Sequence, residues 1–142
     1  MIFISADKTL LTPSVIHDFL TDCYWAKGIS LEKVLKRIDN SMCFGVYENG
    51  NQVGFARVIT DYESFAYLAD VFILETHRGK GLSKLLMHDI MAHPDLQNLR
   101  RFMLATMDAH GLYTQFGFSL LQNEERWMEK RNLLTYQIMD SG

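Results

Sequence analysis

Several features that assign a sequence to a particular protein class are scarce in this chain. Its two cysteines, Cys23 and Cys43, lie in apolar surroundings and lack metal-ligand spacing, which favours reduced thiols over a disulfide or a zinc site. The five histidines show no paired ligand spacing either, so we expect no bound metal. No apolar run approaches the roughly 18 residues of a membrane-spanning helix, and the first residues do not resemble a secretion signal. We therefore expect a cytoplasmic protein.

The charge balance also excludes some partners. A formal net charge of -3 gives no general attraction to nucleic acid or to an anionic membrane, so any phosphate must be held locally. The composition of 142 residues, 48% hydrophobic and 22% charged, is ordinary for a folded protein. It predicts one domain over residues 1–142, with a core large enough to be stable without covalent cross-links.

The first half of the chain predicts a strand followed by two helices. "IFIS" is typical of a short strand. Thr12 and Pro13 indicate a helix start, with the hydroxyl of Thr12 as cap, and this helix should run to about Ala26. A second helix should begin at Ser30, with Glu32 in its first turn.

The middle of the chain predicts three strands and a helix. Asn49-Gly50 separates two apolar runs and is typical of a tight hairpin turn. The next strand, from about Phe65 to Leu74, is continuously apolar except for Asp70, as in a central strand that is covered on both faces. A helix follows, and Pro94 should end it.

The last third predicts a buried strand in "RRFMLAT" and a short helix from about Ala109 to Phe116. Gly117 should end that helix, and "ERWMEK" is interpreted as a last edge strand. The tail from Arg131 has no clear period. The predicted order is βααβββαβαβ, an α/β (α+β) fold that starts antiparallel and has a parallel βαβ crossover in the middle.

A glycine-rich basic turn, "HRGKGLSK", lies directly before the central helix. Gly79 and Gly81 expose backbone N–H groups at a helix start, and Arg78, Lys80 and Lys84 flank them, an arrangement that suits a diphosphate. The nucleoside-triphosphatase loop and the dinucleotide fingerprint both fail to match. The alternative is an ordinary glycine turn with solvated cations.

Two stretches together resemble the GNAT superfamily of N-acyltransferases. Arg78-Gly79-Lys80-Gly81-Leu82-Ser83 is similar to its acyl-CoA signature, Gln/Arg-x-x-Gly-x-Gly/Ala. "AHGLYTQFGF" is similar to its later motif, Ala-x-x-x-Tyr-x-x-x-Gly-Phe. The chain departs from the pattern at Ser83, where the family has glycine or alanine, and at Thr106, where many members have an asparagine that contacts the pantetheine arm.

The resemblance implies acetyl-CoA as co-substrate, with its pyrophosphate on the backbone amides of the glycine turn. It also implies that the two central parallel strands splay apart and that the pantetheine arm lies between them. The residues assigned to acetyl-CoA are Phe72, Ile73, Leu74, Arg78, Gly79, Lys80, Gly81, Leu82, Ser83, Thr106 and Phe116.

Three residues are candidates for the chemistry. Tyr113 stands at the family's general-acid position, where a phenol can protonate the departing thiolate. Asp70 is the first candidate base, because burial would raise the pKa of this lone carboxyl; the alternative is that it caps a neighbouring loop or pairs with Arg57 or Arg101. His110 is a second candidate base or a substrate contact.

Aromatic and acidic residues in the more variable segments are candidates for the acceptor site. They could receive a cationic amine through ring faces and carboxylates, and they are Tyr24, Trp25, Asp61, Tyr62 and Glu63. The alternative is that the aromatic residues among them pack in the core, above all Trp25.

The resemblance implies an N-acetyltransferase that moves an acetyl group from acetyl-CoA to a primary amine by direct transfer in a ternary complex. The acceptor could be a small molecule or a protein. Two other classes stay open: a non-catalytic acyl-CoA-binding module of the same fold, and a phosphate-binding interaction domain that never meets CoA. Family members are often dimers, so the resemblance allows a homodimer.

Overall fold

The computed structural model describes residues 1–132, which form a five-stranded sheet with helices on both faces. The elements in chain order are β1 Ile2–Ser5, α1 Pro13–Asp22, α2 Leu31–Asp39, β2 Met42–Glu48, β3 Asn51–Thr60, β4 Phe65–Ile73, α3 Leu82–Ala92, β5 Arg101–Leu104 and α4 His110–Thr114. Short 3-10 turns occur at Lys8–Leu10, Glu75–His77, Pro94–Leu96 and Glu124–Arg126. The α/β class and the mixed sheet are confirmed.

The strands follow one another in the sheet in the order of the chain. β1 to β4 pair antiparallel, and β4 and β5 pair parallel. The predicted hairpin joins β2 to β3, with Asn49 at φ 51° and Gly50 at φ 84°, the positive angles that a two-residue turn of this kind requires.

Alternation along the strands divides the core into two clusters, one on each face of the sheet. On β2, Phe44 and Val46 point to the face that α3 covers, where they pack with Leu86 and Ile90. Cys43 points to the opposite face, which α1 and α2 cover. Burial on both faces explains why β4 is almost continuously apolar.

Three local predictions are corrected. α1 ends at Asp22 instead of about Ala26, because the N–H and the thiol of Cys23 both donate to the carbonyl of Leu20 and the backbone then becomes extended. Thr12 does not cap α1 with its hydroxyl; its own N–H donates to the side chain of Gln52, 2.7 Å away.

The third correction concerns the predicted last strand. "ERWMEK" forms a 3-10 turn at Glu124–Arg126 and then an irregular segment, so through residue 132 the order is βααβββαβα. Trp127 instead lies under the guanidinium of Arg101, 4.6 Å from ring centroid to Cζ. Of the unassigned tail from Arg131, residues 133–142 lie outside the described residues.

Candidate active site

The parallel pair at the centre of the site opens towards its carboxyl end. β4 and β5 pair from Phe65 with Arg101 to Leu68 with Leu104. β5 then ends, whereas β4 continues to Ile73. The stretch of β4 from 69 to 73 therefore has no strand beside it on this side within residues 1–132, and its backbone can pair with an extended chain of amides.

Backbone alternation decides which groups of β4 face this open edge. The N–H of Leu74 donates to the carbonyl of Val53 on β3, 2.8 Å away, so Leu74 and Phe72 direct their backbone groups towards β3. Ile73 then faces the open edge, and so does Val71, which sequence reasoning missed. The carbonyl of Ile73 already accepts a bond from Nε of Arg78 at 3.1 Å, which leaves its N–H for a ligand.

The glycine turn ends against the N-terminus of α3. Gly79 and Gly81 have φ of 80° and 76°, a left-handed conformation that side-chain-bearing residues rarely adopt. A Cβ on either glycine would meet no atom within 4 Å, so both face open space. The first bond of the helix runs from Leu85 to the carbonyl of Gly81, 3.2 Å, so the N–H groups of the three preceding residues point out of the helix end.

These groups surround a hollow of about 320 Å³. Its walls come from the end of β4, the glycine turn, the start of α3 and one residue of α4: Ile73, His77, Arg78, Gly79, Gly81, Leu82, Ser83, Lys84 and Leu112. Lys80 is exposed and stands outside this wall. The hollow thus combines outward N–H groups, a helix N-terminus and two cations, which is what a diphosphate requires.

A larger groove of about 730 Å³ runs along β5, and β4 contributes nothing to its wall. It therefore lies along the edge of β5 that faces away from β4. Tyr113, His110, Thr106 and Phe116 all line it, so the structure brings these four predicted residues together. Thr106 also holds the start of α4, because its hydroxyl accepts the N–H of Ala109 at 3.0 Å.

Tyr113 lines this groove and is packed in the core beside it. It is 8% exposed and belongs to the same hydrophobic cluster as Ile73 and Leu82. Burial raises the pKa of its phenol above the ordinary value. The phenol therefore keeps its proton at neutral pH, as a general acid must.

Asp70 lies at the point where β4 and β5 separate, in a cluster with Trp25, Arg37 and Arg57 that we call the Asp70 cluster. Its Oδ2 accepts bonds from Nε of Arg57 at 2.5 Å and from Nη1 of Arg37 at 2.9 Å. Its Oδ1 accepts the indole N–H of Trp25 at 2.8 Å. Arg57 also donates to the hydroxyl of Ser41 at 3.1 Å.

This pairing reverses the expected pKa shift of Asp70. Burial does raise the pKa, as predicted, but the charge and hydrogen bond of Arg57, the charge of Arg37 and the bond from Trp25 together outweigh it. The pKa of the carboxyl therefore lies below its ordinary value. The expectation of a raised pKa was wrong: the alternative pairing with Arg57 is present, and Arg37, which the sequence did not indicate, contacts the same oxygen.

The five residues predicted for the acceptor site lie in two separate places. Tyr24 and Trp25 follow α1, with their rings in an edge contact at 5.2 Å between centroids, and Trp25 reaches Asp70. Asp61, Tyr62 and Glu63 form the turn between β3 and β4, at the opposite end of β4 from the glycine turn.

Within that turn the carboxylate of Asp61 is occupied by local bonds. It accepts the backbone N–H groups of Glu63, Ser64 and Phe65 and the hydroxyl of Ser64. The Ser64 hydroxyl and these N–H groups lower the pKa of Asp61. The carboxylate thus holds the turn in place, whereas Tyr62 and Glu63 are exposed.

Comparison with known proteins identifies the family to which this chain belongs. Residues 12–118 match the model of the acetyltransferase (GNAT) family. The chain belongs to the GNAT family. A GNAT-family protein from Xanthomonas campestris pv. campestris, solved by crystallography and named as a candidate acetyltransferase, is 52% identical, with a TM-score of 0.93 and 96% of each chain covered.

Two further proteins are similar to this chain. A protein of Gibberella zeae named as a candidate acetyltransferase is 30% identical over 131 residues, which cover 78% of this chain and 74% of that protein. A protein of Clostridium acetobutylicum that is named as a predicted acetyltransferase, solved with acetyl-CoA, is 16% identical, with a TM-score of 0.65, 92% of this chain and 96% of that chain covered. At that identity the likeness supports the fold alone.

Within residues 1–132, no helix is both long enough and apolar enough to cross a membrane. The same residues contain no group of three or more His, Cys, Asp or Glu side chains placed to hold a metal ion.

Proposed function

We propose that this GNAT protein is an acetyl-CoA-dependent N-acetyltransferase that moves the acetyl group to a primary amine by direct transfer in a ternary complex. The observation that carries the proposal is the hollow at the start of α3, where the left-handed Gly79 and Gly81 precede outward N–H groups, beside the open edge of β4. The hollow suits a pyrophosphate, and the open edge of β4 suits the amides of a pantetheine arm.

The residues of the hollow would hold the pyrophosphate by charge and by hydrogen bonds. The N–H groups of Leu82, Ser83 and Lys84 point out of the helix end. The cations of Arg78 and Lys84 stand in the same wall and would offset the negative charge of the ligand. Acetyl-CoA, when bound, supplies the acetyl group as an activated thioester.

The open edge of β4 would hold the pantetheine arm. Its free N–H at Ile73 and the backbone of Val71 are the groups that alternation directs to this side. Thr106, which replaces the family's frequent asparagine, retains a hydroxyl that already accepts one bond and can still donate another.

Tyr113 would protonate the departing thiolate. Its phenol is buried, and its raised pKa keeps the proton in place until the thiolate, a stronger base than the thioester sulfur, develops beside it. No cysteine is suited to carry the acetyl group, because burial raises the pKa of Cys23, and that of Cys43 to about 11, so both stay as thiols.

The acceptor amine must lose its proton before or during the transfer. Asp70 is a poor acceptor for that proton, since its pKa is lowered and both of its oxygens accept bonds within the Asp70 cluster. We assign the role to His110, an exposed residue at the start of α4, or to water. The exposed rings of Tyr24 and Trp25 would provide ring faces for the amine.

Calorimetry with CoA tests the cofactor half of the proposal. We expect CoA to bind, and ATP and NAD to bind far more weakly, because they lack the pantetheine arm. Lys84→Ala should weaken CoA binding about 10-fold, as loss of one charge-assisted bond does. Lys130→Ala, at an exposed position outside the hollow, is the control. A folded chain without affinity for CoA would contradict the proposal.

A panel of amines tests the catalytic half. Release of free thiol from acetyl-CoA in the presence of an amine, above the rate with water alone, is the expected result. Binding of CoA without thiol release across small amines and lysine peptides would instead identify a non-catalytic acyl-CoA-binding module.

A further inference from the structure

β4 contains a bulge at Asp70. Phe55 pairs with Phe72 and Arg57 pairs with Ala69, so Asp70 and Val71 both lie opposite one residue of β3, Ala56. Asp70 has φ of 53°, in the left-handed region that residues other than glycine rarely adopt, although aspartate tolerates it better than most. Such a conformation persists only where surrounding contacts hold it.

Three elements hold this bulge through one carboxylate. Arg57 comes from β3, Arg37 from α2 and Trp25 from the loop after α1, with bonds of 2.5, 2.9 and 2.8 Å to Asp70. The Asp70 side chain is 3% exposed, and those of Arg57 and Arg37 are 12% and 20% exposed. With little water to compete, charge-assisted bonds of this length are strong and directional.

The cluster lies between the two halves of the proposed site. Pairing of β4 with β5 ends at Leu68, just before Asp70, and the open edge with Val71 and Ile73 begins just after it. Trp25 and its neighbour Tyr24 lie on the other side of the carboxylate, in the loop assigned to the acceptor. One side chain thus contacts the strand that would hold acetyl-CoA and the loop that would hold the amine.

We propose that Asp70 is a positioning residue, which fixes the bulge where β4 leaves β5 and ties the Trp25 loop to that strand, so that thioester and amine meet at a set distance. The inference rests on the proposed function. It assigns the one buried acid of β4 a role that requires permanent ionisation, and it moves proton acceptance elsewhere.

The surroundings of Asp70 keep its charge constant across the neutral range. The charged and titratable groups that face it are Arg57 on β3, Arg37 on α2, the thiol of Cys23 at the end of α1 and the thiol of Cys43 on β2. Both thiols have raised pKa values and stay neutral there. Asp70 should therefore contribute no ionisation to the pH–rate profile between pH 5 and 9.

Two matched tryptophan variants test the inference. Trp25→Phe removes the donor to Asp70 and keeps the aromatic bulk; Trp127→Phe makes the same change at the ring beside Arg101, remote from the cluster. We expect Trp25→Phe to raise the KM for the amine about 10-fold, the loss of one bond to a charged group. The Kd for CoA should be unchanged in both variants, and Trp127→Phe should keep the wild-type KM.

Asp70→Asn separates positioning from proton acceptance. We expect kcat/KM to fall about 100-fold, as when reacting groups are misplaced by about 1 Å, while the shape of the pH–rate profile is kept. Adding Trp25→Phe to Asp70→Asn should cost less than Trp25→Phe costs in the wild type, because the two changes affect the same contact. Loss of an ionisation from the profile would show that Asp70 is a base and overturn the inference.

A fluorescence measurement does not depend on turnover. The chain has two tryptophans, so the Trp127→Phe variant retains Trp25 alone. The fluorescence emission of Trp25 should shift when Asp70→Asn is added to this variant, because the change alters the partner of the indole N–H. If Asp70→Asn does not fold, Trp25→Phe decides: a KM equal to that of Trp127→Phe overturns the inference. A wild-type chain that fails to bind CoA contradicts the proposed function itself. If the wild-type chain binds CoA and turns over, and the two tryptophan variants have the same KM for the amine, this inference alone is contradicted.

Discussion

At the scale of single residues, Tyr113 is the side chain whose surroundings suit it best for chemistry. It is buried against Phe118 and packs in the cluster that joins β4, α3 and α4. Burial raises the pKa of its phenol. A phenol in this environment keeps its proton at neutral pH and is available to protonate a thiolate that forms next to it.

Tyr113→Phe removes the proton and keeps the ring. We expect kcat to fall about 100-fold, the lower end of what a general acid contributes, while the Kd for CoA stays close to wild type. The alkaline loss of rate that ionisation of this phenol causes should also disappear. Stopped assays across pH, with calorimetry for CoA, measure both effects.

Tyr47→Phe is the matched control for that experiment. Tyr47 is buried on β2, stacked on Phe3 at 4.9 Å between centroids, far from the open edge of β4 in the strand order. Its variant should keep the wild-type rate. A Tyr113→Phe protein with normal kcat would remove Tyr113 from the mechanism.

At the scale of elements, the glycine before α3 and the glycine in the first turn of α4 differ in conformation. Gly81 is the residue before α3 and has φ of 76°, so it is needed for its conformation. Gly111 lies within α4, and nothing stands within 4 Å of the Cβ that it lacks. In a helix interior glycine is less stable than alanine, because it loses more backbone entropy on folding.

The same substitution should therefore have opposite effects at the two positions. We expect Gly81→Ala to lower the free energy of unfolding by about 1 kcal/mol, through left-handed strain, and to weaken CoA binding. Gly111→Ala should raise the free energy of unfolding by about 0.5–1 kcal/mol. Urea unfolding of both variants measures this, and equal signs would contradict the assigned conformations.

At the scale of the whole molecule, the Asp70 cluster joins β3, β4, α2 and the loop after α1 across one face of the sheet. Because the pKa of Asp70 is lower in the folded than in the unfolded chain, folding favours its ionised form. Its contribution to stability is complete above the unfolded pKa, about 3.9, and is lost as pH falls through the lower folded value.

Acid titration of stability tests this linkage. At pH 7, Asp70→Asn should lower the free energy of unfolding by about 3–5 kcal/mol, since it removes a buried carboxylate that two partly buried guanidiniums contact. The difference between the variant and the wild type should shrink as pH falls below about 4. Asp22→Asn, at an exposed position at the end of α1, should stay within about 0.5 kcal/mol of the wild type. A difference that does not change with pH would contradict the linkage.

Local patterns were sufficient for most of the fold. The positive-φ pair at Asn49-Gly50, the cap at Ser30, whose hydroxyl accepts the N–H of Lys33, and the glycine turn before α3 depend on neighbours in the chain. The GNAT assignment followed from two such local motifs and was confirmed. The last strand, "ERWMEK", was wrongly predicted, because pairing with β5 depends on where the chain runs after α4.

The sequence by itself determined the order of elements as far as α4, the family and the start of α3, because each follows from short-range backbone geometry. Tertiary structure alone decided the state of Asp70. Whether a buried carboxyl gains or loses a proton more easily depends on which cations lie within about 4 Å of it. Here those cations come from positions 37 and 57 along the chain, and no local pattern around position 70 specifies that they meet.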